Sequence, residues 1–147
     1  MPDWVDNAYH DYAKRFVSSC RLNLIEVTAG KRTKSADIAR IVRDEGERVL
    51  AAIPANCGII ALERTGKEQT TAQLAHHLQT WLGDGVDIAL LIGGPEGLAQ
   101  TCINKAAHVW SLSQLTLPHP LVRVILAEQL YRAWSMLNHL PYHRGDA

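Results

Sequence analysis

Several absences narrow the field before any motif is considered. No run approaches the ~18 consecutive apolar residues that a membrane-crossing helix needs. The opening Met1-Pro2-Asp3-Trp4 lacks the basic stretch and apolar run of a secretory signal. Cysteine is scarce: Cys20, Cys57 and Cys102 are widely spaced and form no C-x-x-C. A disulfide framework or thiolate metal site is therefore not expected, and a reducing cytoplasm fits. Neither charge is in excess, with 15 Lys and Arg against 15 Asp and Glu. The broad basic field that marks many nucleic-acid binders is missing, which leaves only local patches to serve that purpose. Histidines are present, but no H-E-x-x-H occurs. His76 and His77 are adjacent, so on a helix they diverge by about 100°, and Pro141 interrupts the spacing of His139 and His143. No metal is expected. Ser111 and Ser113 lack the context of a nucleophile elbow.

What remains is a chain of 147 residues, 47% hydrophobic, of a size and composition for one domain over residues 1–147. Apolar residues at three- and four-residue spacing predict a helix over 3–16. Leu22 to Val27 reads as a strand, followed by a basic loop. Ser35 is placed to cap a helix carrying Ile38, Ile41, Val42, Val49, Leu50 and Ile53, which Pro54 ends. Residues 58–62 read as an apolar strand and 63–69 as a polar loop. Thr70 or Thr71 caps a helix carrying Leu74, Leu78 and Trp81. Residues 86–92 form the most apolar strand, 99–106 a short helix and 109–112 a fourth strand. Strands apolar on both faces, alternating with helices, indicate an α/β fold with a parallel-rich sheet flanked by helices. A last helix over 121–137 is apolar nearly all round, which in so small a protein points to a subunit interface and a homodimer.

Three segments carry chemistry. Gly93-Gly94-Pro95-Glu96-Gly97 follows the most apolar strand, where open α/β sheets bind ligands. It is neither the dinucleotide fingerprint nor a Walker A loop. A β-branched residue at Gly93 is expected to intrude on the ligand more than on the fold. Leu112-Ser113-Gln114-Leu115-Thr116-Leu117 runs into Pro118-His119-Pro120 and offers backbone polar groups beside apolar side chains, as an adenine pocket requires. The end of the chain, Pro141-Tyr142-His143-Arg144, sets an aromatic hydroxyl, an imidazole and a guanidinium behind a stiffening proline. Those groups stack on bases, exchange protons and bind phosphate.

Taken in order, Ala29-Gly30-Lys31-Arg32, Leu90 to Gly97, Leu115 to Val124, Glu128 to Trp134 and Pro141 to Arg144 resemble the RlmH-type large-subunit rRNA methyltransferases of the SPOUT superfamily. The resemblance covers essentially the whole chain. It implies a knotted SPOUT fold with a C-terminal trefoil knot, a homodimer without metal or membrane, and S-adenosylmethionine as methyl donor. It also implies N3-methylation of a pseudouridine in large-subunit (23S) rRNA on the assembled ribosome. Cofactor contacts carry over to Leu62, Gly93 with its neighbour Gly94, and Leu112, Ser113, Gln114, Leu115, Thr116 and Leu117. One departure stands out: family members begin with a further strand and glycine-containing turn ahead of the segment matching Met1 to Trp4. Either the true start lies upstream, or the sheet has lost its usual first strand and carries an exposed edge.

Methylation at N3 displaces a proton, so the acceptor needs a base. His143 is suited to take that proton, with Arg144 stabilising charge or holding phosphate and Tyr142 in support. Lys31, Arg32 and Lys34 are expected to meet rRNA phosphates. A non-catalytic ribosome-associated RNA-binding or assembly protein is the alternative, since a neutral chain can dock where the partner supplies most of the surface. A nucleotide-binding metabolic enzyme is a third reading.

Overall fold

The computed structural model describes residues 1–17 and 19–143. Its elements, in chain order, are α1 (Asp3–Ala13), α2 (Ile38–Ala52), β1 (Gly58–Glu68), α3 (Thr71–Asp84), β2 (Ile88–Leu91), α4 (Gln100–Lys105), β3 (His108–Ser111) and α5 (His119–Leu137). A single turn of 3-10 helix, Pro141–His143, follows α5. The chain groups into two compact units, one of residues 24–68 and 87–119, the other of 1–23, 69–86 and 120–147.

The first unit holds a parallel three-stranded sheet in the order β2-β1-β3. The central strand is the apolar segment read from the sequence. Ile60 and Ala61 face neighbours on both edges, pairing with Leu90 and Leu91 of β2 and with His108 and Val109 of β3. Burial on both sides explains why Ile60, Ala61 and Leu62 carry no alternation of polar residues. The strand does not stop at Leu62. Pairing with β3 slips between Leu62 and Lys67, and β1 runs on to Glu68, so the expected polar loop is a bulged continuation of the strand. Helix α2 packs on α4 around Leu91, Ala99 and Cys102, which are joined by Val42, Val49, Leu50 and Ile53. Contact is close enough that a Cβ on Gly46 would lie 2.5 Å from that of Ala99.

Two expectations for this unit change. The cap of α2 is Asp37, whose carboxylate accepts the Arg40 amide at 3.3 Å, rather than Ser35. The segment Leu22 to Val27 is not a strand, and Leu24 and Ile25 stand 37% and 55% exposed. An apolar run marks a segment for burial, but it forms a strand only where a neighbouring edge accepts its hydrogen bonds.

The second unit is helical. Thr70 and Gln73 form a reciprocal capping box at the start of α3, and Gly85 ends that helix in the left-handed region. Helix α1 ends at Ala13, three residues earlier than its periodicity indicates, and tightens into i→i+3 bonds through Arg15 and Phe16. Phe16 packs edge-on to Tyr131 at 5.8 Å and beside Trp134 at 5.7 Å. Fully buried positions of α5 gather in its second half, from Leu126 to Ser135. Its first half is more open: Val122, Val124 and Ile125 are half-buried and Leu121 is exposed. Among the described residues, no helix is long and apolar enough to cross a membrane.

Candidate functional site

The register of the sheet brings the segments expected to hold a cofactor to the carboxyl end of its strands. Leu62 pairs with Trp110 and lies one step beyond the Ala61–Leu91 pair. The chain leaves β2 at Leu91 and β3 at Ser111. The glycine loop and the 112–117 segment therefore depart on either side of Leu62, at the carboxyl ends of parallel strands.

The glycine loop is a tight turn in which the Gly97 amide donates to the Gly94 carbonyl at 3.0 Å. Gly97 sits at φ +83°, which favours glycine. Gly93 is required for a different reason: a Cβ there would stand 2.3 Å from the Gly97 carbonyl carbon and 2.5 Å from the Leu98 amide. This corrects the expectation that a side chain at 93 would intrude chiefly on a ligand. It would first push apart the two arms of the loop itself.

Beyond β3, the Ser111 hydroxyl donates to the Ser113 carbonyl at 2.8 Å, and the Leu115 amide donates to the Ser113 hydroxyl at 3.0 Å. The segment is held by its own serines, the Leu115 amide is already engaged, and the Leu115 side chain is 73% exposed. Beside it, Arg64, Thr65, Gly66, Glu68 and Gln114 line an open cleft of about 540 Å³. That volume suits a small ligand, and the lining joins charged and amide groups. A Cβ on Gly66 would come 2.7 Å from the Val109 carbonyl, so glycine lets the bulged end of β1 lie against β3. Gln114 was among the expected contacts; sequence reading missed Arg64, Thr65, Gly66 and Glu68 because it treated 63–69 as a loop, and the lone glycine in a polar stretch was the available signal.

Arg32 is engaged within the protein. Its guanidinium lies between Glu45 of α2 and Glu96 of the glycine loop. Nε donates to both Glu96 oxygens at 3.1 Å and Nη2 to Glu96 Oε2 at 2.7 Å. Nη1 donates to Glu45 Oε2 at 2.9 Å and to the Gly30 carbonyl at 2.9 Å, and Nη2 to Glu45 Oε1 at 3.0 Å. Glu45 also accepts the Gly30 amide at 2.7 Å. Lys31 and Lys34, by contrast, are exposed. The hydrogen bonds from Arg32 hold the carboxyls of Glu45 and Glu96 below their ordinary value, assisted at Glu45 by the Gly30 amide. Since both values are lowered by folding, the stabilisation is complete above the ordinary carboxylate range and is lost as pH falls through the depressed values. Thermal denaturation between about pH 7 and about pH 3 should therefore show a loss of stability confined to the acid end. The loss should be shallower in Arg32→Ala, and an equal loss in that variant would assign it to other groups.

The last described residues, 139–143, fold back on α5. Leu140 donates to the Ser135 carbonyl at 2.9 Å, and His139 turns the chain at φ +56°. Tyr142 packs on Tyr131 at 4.8 Å, with the Arg132 guanidinium 5.0 Å from its ring centre. Its hydroxyl lies 3.2 Å from both Tyr12 Oη and Glu128 Oε1, and the carboxylate can only accept. Burial raises the pKa of this phenol, and the Tyr12 hydroxyl adds to the shift. These contacts hold Tyr142 against α5. His143 Nδ1 lies 2.8 Å from the hydroxyl of Ser135, a residue with no solvent exposure. Arg144 lies outside the described residues. Among the described residues no group of His, Cys, Asp and Glu could hold a metal ion.

Residues 1–143 match the family described as predicted SPOUT methyltransferases. Two proteins named ribosomal RNA large subunit methyltransferase H are similar at nearly full length. The one from Methylococcus capsulatus is 55% identical over 98% of this chain and 93% of its own length. The one from Thioalkalivibrio sulfidiphilus is 56% identical over 98% and 92%.

Proposed function

The chain belongs to the SPOUT methyltransferase family, and from that premise we propose that it methylates large-subunit rRNA with S-adenosylmethionine as donor. The acceptor is N3 of a pseudouridine on the assembled ribosome. The observation that carries this reading is near-full-length identity above one half to relatives bearing the rRNA methyltransferase name. Placement of Leu62, Gly93 and the start of the 112–117 segment at the same end of the parallel sheet supports the donor site. One family match running through both compact units supports a single catalytic domain with the family's C-terminal knot.

When bound, S-adenosylmethionine supplies an electrophilic methyl group on a sulfonium. Leu62, Leu112 and Leu117 offer apolar surface to its adenine. Ser113, Gln114, Leu115 and Thr116 shape that pocket, and Gly93 and Gly94 let backbone approach the ribose or methionine portion. Arg64 and Glu68 suit the carboxylate and ammonium of the amino-acid end. His143 takes the proton that leaves N3. The Ser135 hydroxyl lies 3.1 Å from the Arg132 carbonyl and 2.8 Å from His143 Nδ1. In the tautomer this role needs, the hydroxyl donates to that carbonyl and accepts from Nδ1–H, which leaves the Nε2 lone pair for the proton. Arg144 holds phosphate or the developing charge on the base, Tyr142 anchors the tail, and Lys31 and Lys34 contact rRNA phosphates.

The more open first half of α5, with Leu121 exposed and Val122 to Ile125 half-buried, suits a homodimer in which each tail serves its partner's donor pocket. Transfer of labelled methyl from the donor to ribosomal particles lacking the modification tests the proposal. Ribosome binding without transfer would favour a non-catalytic assembly protein.

A further inference from the structure

We propose that Arg32 is a positioning residue for the donor pocket, tying the glycine loop to α2, and that it does not contact RNA. The inference rests on the donor-site reading above and adds a residue that reading did not contain.

Every N–H of the guanidinium has a protein acceptor. Nε–H is shared by the two Glu96 oxygens, the Nη1 hydrogens go to Gly30 and Glu45, and the Nη2 hydrogens go to Glu45 and Glu96. A phosphate could gain a donor only by displacing a carboxylate or the Gly30 carbonyl, each already paired at 3.1 Å or less. The side chain is 22% exposed, and its partners are 15% and 32% exposed, so the cluster is shielded on several sides. One partner, Glu96, lies inside the Gly93–Gly97 turn. The other, Glu45, projects from a helix whose packing on α4 fixes it. The clasp lies beside the loop backbone, since a Cβ on Gly94 would make ordinary contact with both Arg32 Nη2 and Glu45 Oε1 at 3.7 Å. A short turn built on two glycines samples many backbone shapes when free. Anchoring its one charged side chain through a two-sided ion pair restricts that sampling before the ligand arrives, which is how preorganisation raises affinity. Lysine replaces this function only in part, because its ammonium is a point charge without the planar fork.

The test compares donor affinity and ribosome association in one set of variants, each titrated calorimetrically with S-adenosylmethionine well below its melting temperature. Arg32→Ala should weaken the donor roughly tenfold, with Arg32→Lys intermediate. The salt dependence of its ribosome association should stay unchanged. Lys31→Ala with Lys34→Ala should do the reverse, keeping donor affinity while flattening the salt slope by about 1.5. Glu96→Gln, which keeps the shape of the turn, should weaken the donor in the same direction and serves if Arg32→Ala does not fold. Wild-type donor affinity in folded Arg32→Ala and Glu96→Gln would overturn the inference, as would a flattened salt slope in Arg32→Ala. Failure of the underlying site looks different: Gly93→Ala would then bind the donor as the wild type does.

Discussion

Replacing Gly93 by alanine should remove donor binding, weakening S-adenosylmethionine at least about 100-fold, or ~2.7 kcal/mol. A single methyl group has this effect because it has nowhere to go. Its carbon would stand 2.3 Å from a backbone carbon and 2.5 Å from a backbone nitrogen, neither of which can rotate aside like a side chain. The turn must open, and the backbone beside Leu62 moves with it. The damage should stay local, since Gly93 lies outside β2 and α4. Gly83 in α3 provides the contrast. A Cβ there meets nothing within 4 Å, so Gly83→Ala should bind the donor normally and gain about 0.5 kcal/mol of stability. Calorimetric titration and thermal denaturation of the two variants separate the cases. Normal donor affinity in Gly93→Ala would remove the glycine loop from the site.

The second large effect is expected on the rate. His143→Ala should lower kcat by about 100-fold or more, the contribution of a placed general base, while donor affinity stays at the wild-type level. Ser135 and Tyr142 hold this part of the chain against α5 without the imidazole's help, so its loss should leave the tail in place. The exchange of parts between subunits can be read in the same experiment. Mixing Gly93→Ala protein with protein carrying His143→Ala and Arg144→Ala should restore activity if tails serve the partner's pocket. The hybrid dimer then owns one intact pocket reached by one intact tail. No recovery after demonstrated subunit exchange would confine the tail to its own chain, and full activity of His143→Ala would remove it from the chemistry.

Much of this arrangement was legible in the residues, and the gaps have physical causes. The strand at 58–62 and its buried neighbours followed from apolar runs too short for helices, and α3 from its Thr70 cap. The Gly-Gly turn was legible as a site because two adjacent glycines after a buried strand relax a steric rule. The reason glycine is needed at 93 was not, since that depends on where Gly97 returns in space. Arg32 shows the same limit more sharply. Next to Lys31 and Lys34 it reads as one more cation for RNA. Its partners Glu45 and Glu96 lie 13 and 64 positions away, and no local pattern announces such a pairing. Ser135 was hidden for a related reason, as a buried serine in an apolar helix carries no sign that a histidine will fold back onto it. The segment 22–27 failed in the opposite direction: its hydrophobicity was read correctly, but a strand also needs a partner edge.

The central claim is methyl transfer to N3 of a pseudouridine, and one measurement reaches it directly. Wild-type protein is incubated with S-adenosylmethionine carrying a labelled methyl group and with assembled ribosomes that lack the modification. The large-subunit rRNA is then digested to nucleosides and resolved by mass. Label should appear in a single methylated pseudouridine with the methyl on N3, in proportion to ribosomes and not to protein, and Gly93→Ala should leave the rRNA unlabelled. Ribosomes that bind the protein yet carry no label, or label on a different nucleoside, would contradict the account.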